Sequence, residues 1–166
     1  MTDRDAGNGG AVDGQEPIES TLCTQCALCC DGGLFHAVKV GPVEREALQR
    51  LGLTIEDAPE PYFRQPCAKL IDRACSIYTA RPKTCRNFSC ALLRQVREGK
   101  VTPDEAGRIV AIARSLRDKV DVGVAEDWQA IADPVARRTA AKRHLDRVAL
   151  NEYLDRHFRV APPPAA

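Results

Sequence analysis

Eight cysteines fall between Cys23 and Cys90, and the rest of the 166 residues contain none. They open as Cys23-x-x-Cys26-x-x-Cys29-Cys30 and continue with Cys67, Cys75, Cys85 and Cys90. Cysteine concentrated in this way serves disulfides or metal, and the two uses belong to different redox compartments. A chain of this length can build an ordinary core, so it does not need disulfides merely to fold. Its first residues, Met1 to Gly10, carry acids and glycines where a secretory signal would carry an apolar stretch. No run approaches the roughly 20 apolar residues that a membrane span requires. The expectation is a cytoplasmic chain whose thiols stay reduced and bind metal.

The spacing narrows the chemistry. An x-x interval lets successive thiolates converge on one centre where the chain turns tightly, in structural zinc sites and iron–sulfur clusters alike. Cys23, Cys26 and Cys29 resemble the opening of a bacterial ferredoxin run, but Cys30 follows at once and the proline-linked fourth ligand is missing. Adjacent side chains point in different directions on a helix or a strand, so Cys29 and Cys30 are expected to serve different centres. The simplest partition gives Cys23, Cys26 and Cys29 one distant partner, and gives Cys30 three of Cys67, Cys75, Cys85 and Cys90. Two four-thiolate sites would then use all eight. A triple run favours an iron–sulfur cluster and scattered loop cysteines favour Zn²⁺, so both cofactors stay open. His36, six residues after Cys30, is a candidate to replace a thiolate, whereas His144 and His157 have no partner motif.

Four segments follow from composition. Residues 1–17 are polar and glycine-rich and read as a disordered leader, and 161–166 as a proline-bound tail. Between them, 18–98 is a cysteine-cluster metal-binding region and 99–160 a helical region. In the first, Leu34–Val40 alternates well enough for a strand, and Val43–Leu51 forms a short helix with Pro42 at its first turn and Gly52 as its cap. Prolines 59, 61 and 66 impose a loop with at most a short strand at Tyr62–Phe63, and a helix runs from near Pro82 through Val96. In the second, Thr102-Pro103-Asp104-Glu105 is a capping box. Behind it Ile109, Ile112, Leu116 and Val120 repeat at helical spacing, with Ala106 and Ala113 on nearby faces, and Val124, Trp128 and Ile131 continue the series. Trp128 reads as a core anchor. Asp133-Pro134 restarts a helix whose apolar side is Leu145, Val148, Leu150, Tyr153, Leu154 and Phe158. The fold class expected is mainly α, a single small domain with an irregular cysteine-rich half nucleated by metal and at most one short strand pair.

Cys23-x-x-Cys26-x-x-Cys29-Cys30, Pro66-Cys67 and Cys75-Ser76-Ile77-Tyr78-x-x-Arg81-Pro82-x-x-Cys85-Arg86-x-Phe88-x-Cys90 together resemble the CxxCxxCC cysteine-cluster family. The resemblance covers roughly residues 20–92 and implies a zinc- or iron-chelating domain. Ala27 departs from it, since many members have glycine there, and alanine gives up easy access to positive φ. Around the cluster, Arg81 and Arg86 are candidates to offset thiolate charge, and Tyr78 and Phe88 to wall it off from water.

Three function classes follow. The first is a metal-binding module, structural or electron-carrying, whose helical half meets a protein partner. The second is an enzyme, because the resemblance reaches flagellin lysine N-methylases. Against it, no Gly-rich strand–turn–helix suited to S-adenosylmethionine is present. The third is a zinc module that binds nucleic acid through Arg137–Arg147. A net charge of +1 and the lack of interleaved aromatics rank it last.

Overall fold

The computed structural model describes residues 18–120 and 127–159; the leader, the tail and Val124 lie outside the described residues. The first element is a helix, α1 (Ile18–Cys26), where cysteine spacing alone suggested only a turn. It sets Cys23 and Cys26 three residues apart on one face. Ala27 ends it in the left-handed region at φ 54°, its N–H bonded to Cys23 O at 2.9 Å. The conformation that glycine would take freely is thus adopted by alanine, at a cost of about 1–2 kcal/mol.

Strand β1 (Ala37–Lys39) lies inside the alternating segment, and β2 (Tyr62–Arg64) pairs with it antiparallel, Val38 opposite Phe63. Both of those side chains are buried. Between the strands, a 3-10 turn at Pro42–Glu44 leads into helix α2 (Arg45–Arg50), and Gly52 at φ 81° closes it. A second strand pair, a hairpin, joins the one expected: β3 (Leu70–Ile71) pairs with β4 (Ala74–Cys75) across Asp72 and Arg73. Both turn residues hold positive φ, the geometry that suits the twist of a two-residue hairpin. Asp-Arg is a weak sequence signature for such a turn.

The helix expected from Pro82 to Val96 is two helices, α3 (Lys83–Asn87) and α4 (Ala91–Arg97). Phe88 and Cys90 are extended, and the Cys90 sulfur accepts from Leu93 N at 3.4 Å, capping α4. A thiol cap does not appear among the usual signals, which is why the break escapes a sequence reading. Helix α5 (Pro103–Arg117) begins as expected, with Thr102 accepting from Glu105 N. Its buried seam is Ala106, Val110 and Ala113, and Ile112 is 49% exposed. The small residues let α5 approach α1, α4 and α6 closely, so the larger aliphatics flank the seam. Helix α6 (Pro134–His157) is capped by Asp133 and buries Ala140, Leu150 and Leu154, followed by Phe158. Leu145, 66% exposed, and Val148 do not belong to that face. Trp128 sits half-buried in a short 3-10 turn, tilted toward the His144 ring at 6.1 Å, and is not a core anchor.

Two hydrophobic clusters result. The larger joins Leu22, Leu28, Leu34, Leu92 and Leu93 to the seams of α5 and α6 and to Phe158. The smaller holds Val38, Val40, Leu48, Leu53, Ile55 and Phe63. The turn after Cys30 is locked to α5 by charge. The Asp31 carboxylate pairs with Arg114 and, at 3.5 Å, with Arg117 Nε, while Arg117 also donates to Asp31 O at 2.9 Å. All three side chains are at most 17% exposed. Removing the Asp31 carboxylate leaves two guanidinium groups without it in a desolvated place.

Phe158→Ala should lower the stability of the metal-loaded protein by about 3–5 kcal/mol, whereas Leu145→Ala should stay within about 0.5 kcal/mol. Asp31→Asn should cost about 3 kcal/mol, and Glu60→Gln, which breaks the exposed Lys39–Glu60 pair, at most about 1 kcal/mol. Urea denaturation of the four variants measures both contrasts.

Candidate metal centre

All eight cysteines are free thiols, and all eight line one cavity of about 590 Å³. Sequence distance is closed by three devices. Helix α1 carries Cys23 and Cys26, and the left-handed Ala27 turns the chain so that Cys29 and Cys30 follow at the same wall. Cys67 is brought alongside by its N–H, which donates to Cys30 O at 2.8 Å. The second hairpin presents Cys75, α3 carries Cys85, and the N-cap of α4 supplies Cys90.

The thiols fall into two sets. Cys26, Cys29 and Cys90 pack against the larger hydrophobic cluster, and Cys67 and Cys85 against the smaller. Mutual electrostatics follow this grouping in part, with Cys30 acting also on Cys23 and Cys29. Cys23 and Cys26 each feel Cys90, and Cys29 feels both Cys26 and Cys23. Cys67 and Cys85 each feel Cys30 and Cys75. Cys90 therefore neighbours Cys23 and Cys26, and Cys30 lies between that group and Cys67, Cys75 and Cys85. One expectation does not hold as stated: the Cys29 and Cys30 sulfurs do not diverge but meet at 3.7 Å, at the seam between the sets. The compact turn after Ala27 overrides the alternation of a regular element, with Cys30 N and Asp31 N both bonded to Ala27 O.

Burial governs the protons. It pushes the Cys26 and Cys85 thiols up to about 12 and raises Cys23, Cys67 and Cys90 as well. Cys29 is raised first by the hydrogen bond it gives to Cys30 and then by burial, and the same bond lowers Cys30. Cys23 is the most open of the eight, lying at the exposed rim. Among the described residues, no three His, Cys, Asp or Glu side chains converge to the spacing of one bound ion. The donors are nonetheless soft sulfurs facing a common space, the chemistry that zinc and iron–sulfur clusters select.

The remaining candidates separate cleanly. His36 is exposed and outside the cavity wall, so it does not stand in for a thiolate. His144 and His157 lie on α6 beside Trp128 and Tyr153. Arg81 lines the cavity with its guanidinium over the Tyr78 ring at 4.0 Å, and its buried Nε has no hydrogen-bond partner. Arg86 faces outward toward Glu44 at 3.9 Å. Tyr78 and Phe88 line the cavity yet are exposed, so the dry wall is made by Leu28, Leu92 and Leu93 instead. Sequence reasoning missed Asp31, Arg114 and Arg117. The available signal was Asp31-Gly32-Gly33 directly after the thiols, an Asx turn in which Gly33 N donates to Asp31 Oδ1 at 2.8 Å.

No curated protein and no solved structure matches the chain significantly. One family does match, over residues 22–108, just over half of the chain and every cysteine in it. With its eight thiols gathered on one cavity, the chain belongs to the CxxCxxCC family, described as a putative zinc- or iron-chelating domain.

Proposed function

We propose that the chain holds two metal centres of four thiolates each, Cys23/Cys26/Cys29/Cys90 and Cys30/Cys67/Cys75/Cys85, and that the centres carry electrons. The observation behind this reading is the single cavity lined by all eight cysteines, with Cys26, Cys29 and Cys90 packed on one hydrophobic cluster and Cys67 and Cys85 on the other. Iron–sulfur clusters suit the spacing. A zinc ion at about 2.3 Å from each sulfur needs its ligand sulfurs about 3.8 Å apart, whereas a cluster interposes sulfides and tolerates wider separation. Bound iron would supply one-electron chemistry; the protein's part is to hold the thiolates, exclude water with Leu28, Leu92 and Leu93, and leave the Cys23 rim open to a redox partner. Zinc in a structural role is the second reading, favoured by the delivery of Cys75 and Cys85 from a two-residue strand and a five-residue helix, scattered short elements of the kind structural zinc sites use.

Other residues argue against the remaining classes. Gly32 and Gly33 serve the cysteine turn rather than a nucleotide cradle, Gly33 being tied back to Asp31. On α6, Lys142 is paired with Asp146, which dilutes the basic stretch as a nucleic-acid surface, and just past the helix end Arg159 is paired with Asp155. The reduced thiols fit a cytoplasmic setting.

Anaerobic purification followed by iron, zinc and acid-labile sulfide analysis tests the reading. Iron with matching sulfide in two centres is the expected result; zinc without sulfide selects the second reading, and no stoichiometric metal sinks both. Cys90→Ser should deplete one centre and Cys75→Ser the other.

A pH dependence follows from the raised thiols. They hold protons at neutral pH that a metal must displace, so affinity rises with pH and weakens by up to about tenfold per unit of acidification for each proton displaced. Chelator competition across about pH 6.5–8.5 measures the slope, and a flat profile would show that the raised thiols are not the ligands.

A further inference from the structure

We infer that Arg114, Arg117 and Gly33 are positioning residues of the metal site, holding the Cys29–Cys30 pair in place before metal arrives and setting how long metal stays. The inference rests on these two thiols being ligands, not on the number of centres or on which metal fills them. Neither a guanidinium nor a glycine offers a metal a side-chain donor, and both arginines lie beyond residue 108, where the family match ends. Their common target is Asp31, bonded directly to Cys30. Every oxygen of that residue is engaged. Oδ2 takes the Arg114 guanidinium, and Oδ1 accepts from Gly33 N at 2.8 Å and faces Arg117 Nε at 3.5 Å. The main-chain O accepts from Arg117 Nη2 at 2.9 Å. The arginines are anchored in turn, Arg117 Nη1 on Val120 O at 2.8 Å and Arg114 Nη2 on Asp118 Oδ1 at 3.1 Å.

Charge-assisted bonds of this kind are strong where water is scarce, and these grip side chain and main chain at once. Asp31 so held leaves Cys30 little freedom. Cys30 N and Asp31 N both close on Ala27 O, and the Cys29 and Cys30 sulfurs meet at 3.7 Å. Gly33 marks how closely the link is built. Gly32 holds φ 86°, but Gly33 does not hold positive φ, so its backbone does not demand glycine. Space does. A Cβ at Gly33 would stand 3.0 Å from both Asp31 Oδ1 and Leu28 Cδ2, and 3.2 Å from Arg117 Cδ. The Arg117 stem reaches Asp31 across a residue with no side chain. Groups that orient metal ligands without touching the metal change affinity by about 10- to 100-fold when lost. Ligands left loose must be ordered at the moment of binding, which weakens it.

The test uses the full chain purified anaerobically with its metal, challenged with excess chelator while metal release is followed. Arg117→Gln should release metal about 10- to 100-fold faster than the wild type. Gly33→Ala, which removes no charge, should shift release in the same direction. Asp31→Asn combined with Arg117→Gln should release no faster than the faster of the two single variants, because both break one link. Leu150→Ala opens the same hydrophobic cluster away from the turn and controls for stability alone. At an equal loss of urea midpoint, it should release metal more slowly than Arg117→Gln. Hydrogen exchange on the metal-free chain reads the positioning directly. The Cys30 and Asp31 amides should be protected in the wild type and lose protection in Arg117→Gln, while those of α6 keep theirs. Release that follows the urea midpoint alike in Arg117→Gln and Leu150→Ala overturns the inference, and so does free exchange of the two amides in the metal-free wild type. A wild-type chain without stoichiometric metal, or full metal retention in both Cys29→Ser and Cys30→Ser, overturns instead the reading of these thiols as ligands.

Discussion

The turn from Cys26 to Leu34 is the constraint on which the rest of the structure depends. It must end a helix, reverse the chain and deliver two consecutive thiols to different surroundings within a few residues. The left-handed Ala27 makes the reversal, and its carbonyl accepts from both Cys30 N and Asp31 N. Leu28 is fully buried under the turn, and Leu34 N returns to Leu28 O at 2.8 Å to close it. The strain at Ala27 is small beside the burial of Leu28 and the ion pairs of Asp31, so the turn holds without glycine.

That turn also explains how helices beyond the cysteines belong to the site. Arg114 and Arg117 lie past the end of the matched family region at residue 108. They nonetheless fasten Asp31, the residue after Cys30, to α5. Helix α5 in turn rests on α6, and Ala91 N, one residue after Cys90, donates to Phe158 O at 2.9 Å. The helical region therefore braces the cysteine turn at Asp31 and the first thiol set at Cys90. The second set has lighter support, from two short strand pairs and α2, with Thr84 bonded to Lys39 O beside Cys85. Fewer buried apolar contacts mean that metal contributes a larger share of the order there.

The thiols also set an electrostatic condition. Burial keeps most of them protonated when no metal is bound, so a cavity lined by sulfur does not have to hold many negative charges at once. Loading exchanges those protons for metal charge. Arg81, which lines the cavity, stands close enough to the thiols to receive part of the charge that remains.

What the sequence determined was whatever depends on neighbours along the chain. The capping box at Thr102, the restart at Asp133-Pro134, the strand near Val38, the helix closed by Gly52 and the confinement of all thiols to one region are local statements, and local physics fixes them. The tertiary structure decided which residue joined which. Periodicity offered Ile109, Ile112 and Leu116 as the face of α5, but close approach of four helices selected Ala106, Val110 and Ala113, since only small side chains fit that separation. Leu145 and Val148 satisfied the same spacing rule on α6 and lie outside, because no element among the described residues covers that side. Alternation said that Cys29 and Cys30 should diverge, yet a compact turn brings their sulfurs together. The nearness of Cys90 to Cys23 and Cys26, and the reach of Asp31 to Arg114 and Arg117, depend on contacts across 60 or more residues of sequence. No spacing rule encodes these, because the free energy that fixes them comes from packing and ion pairing formed only once the chain has closed on itself.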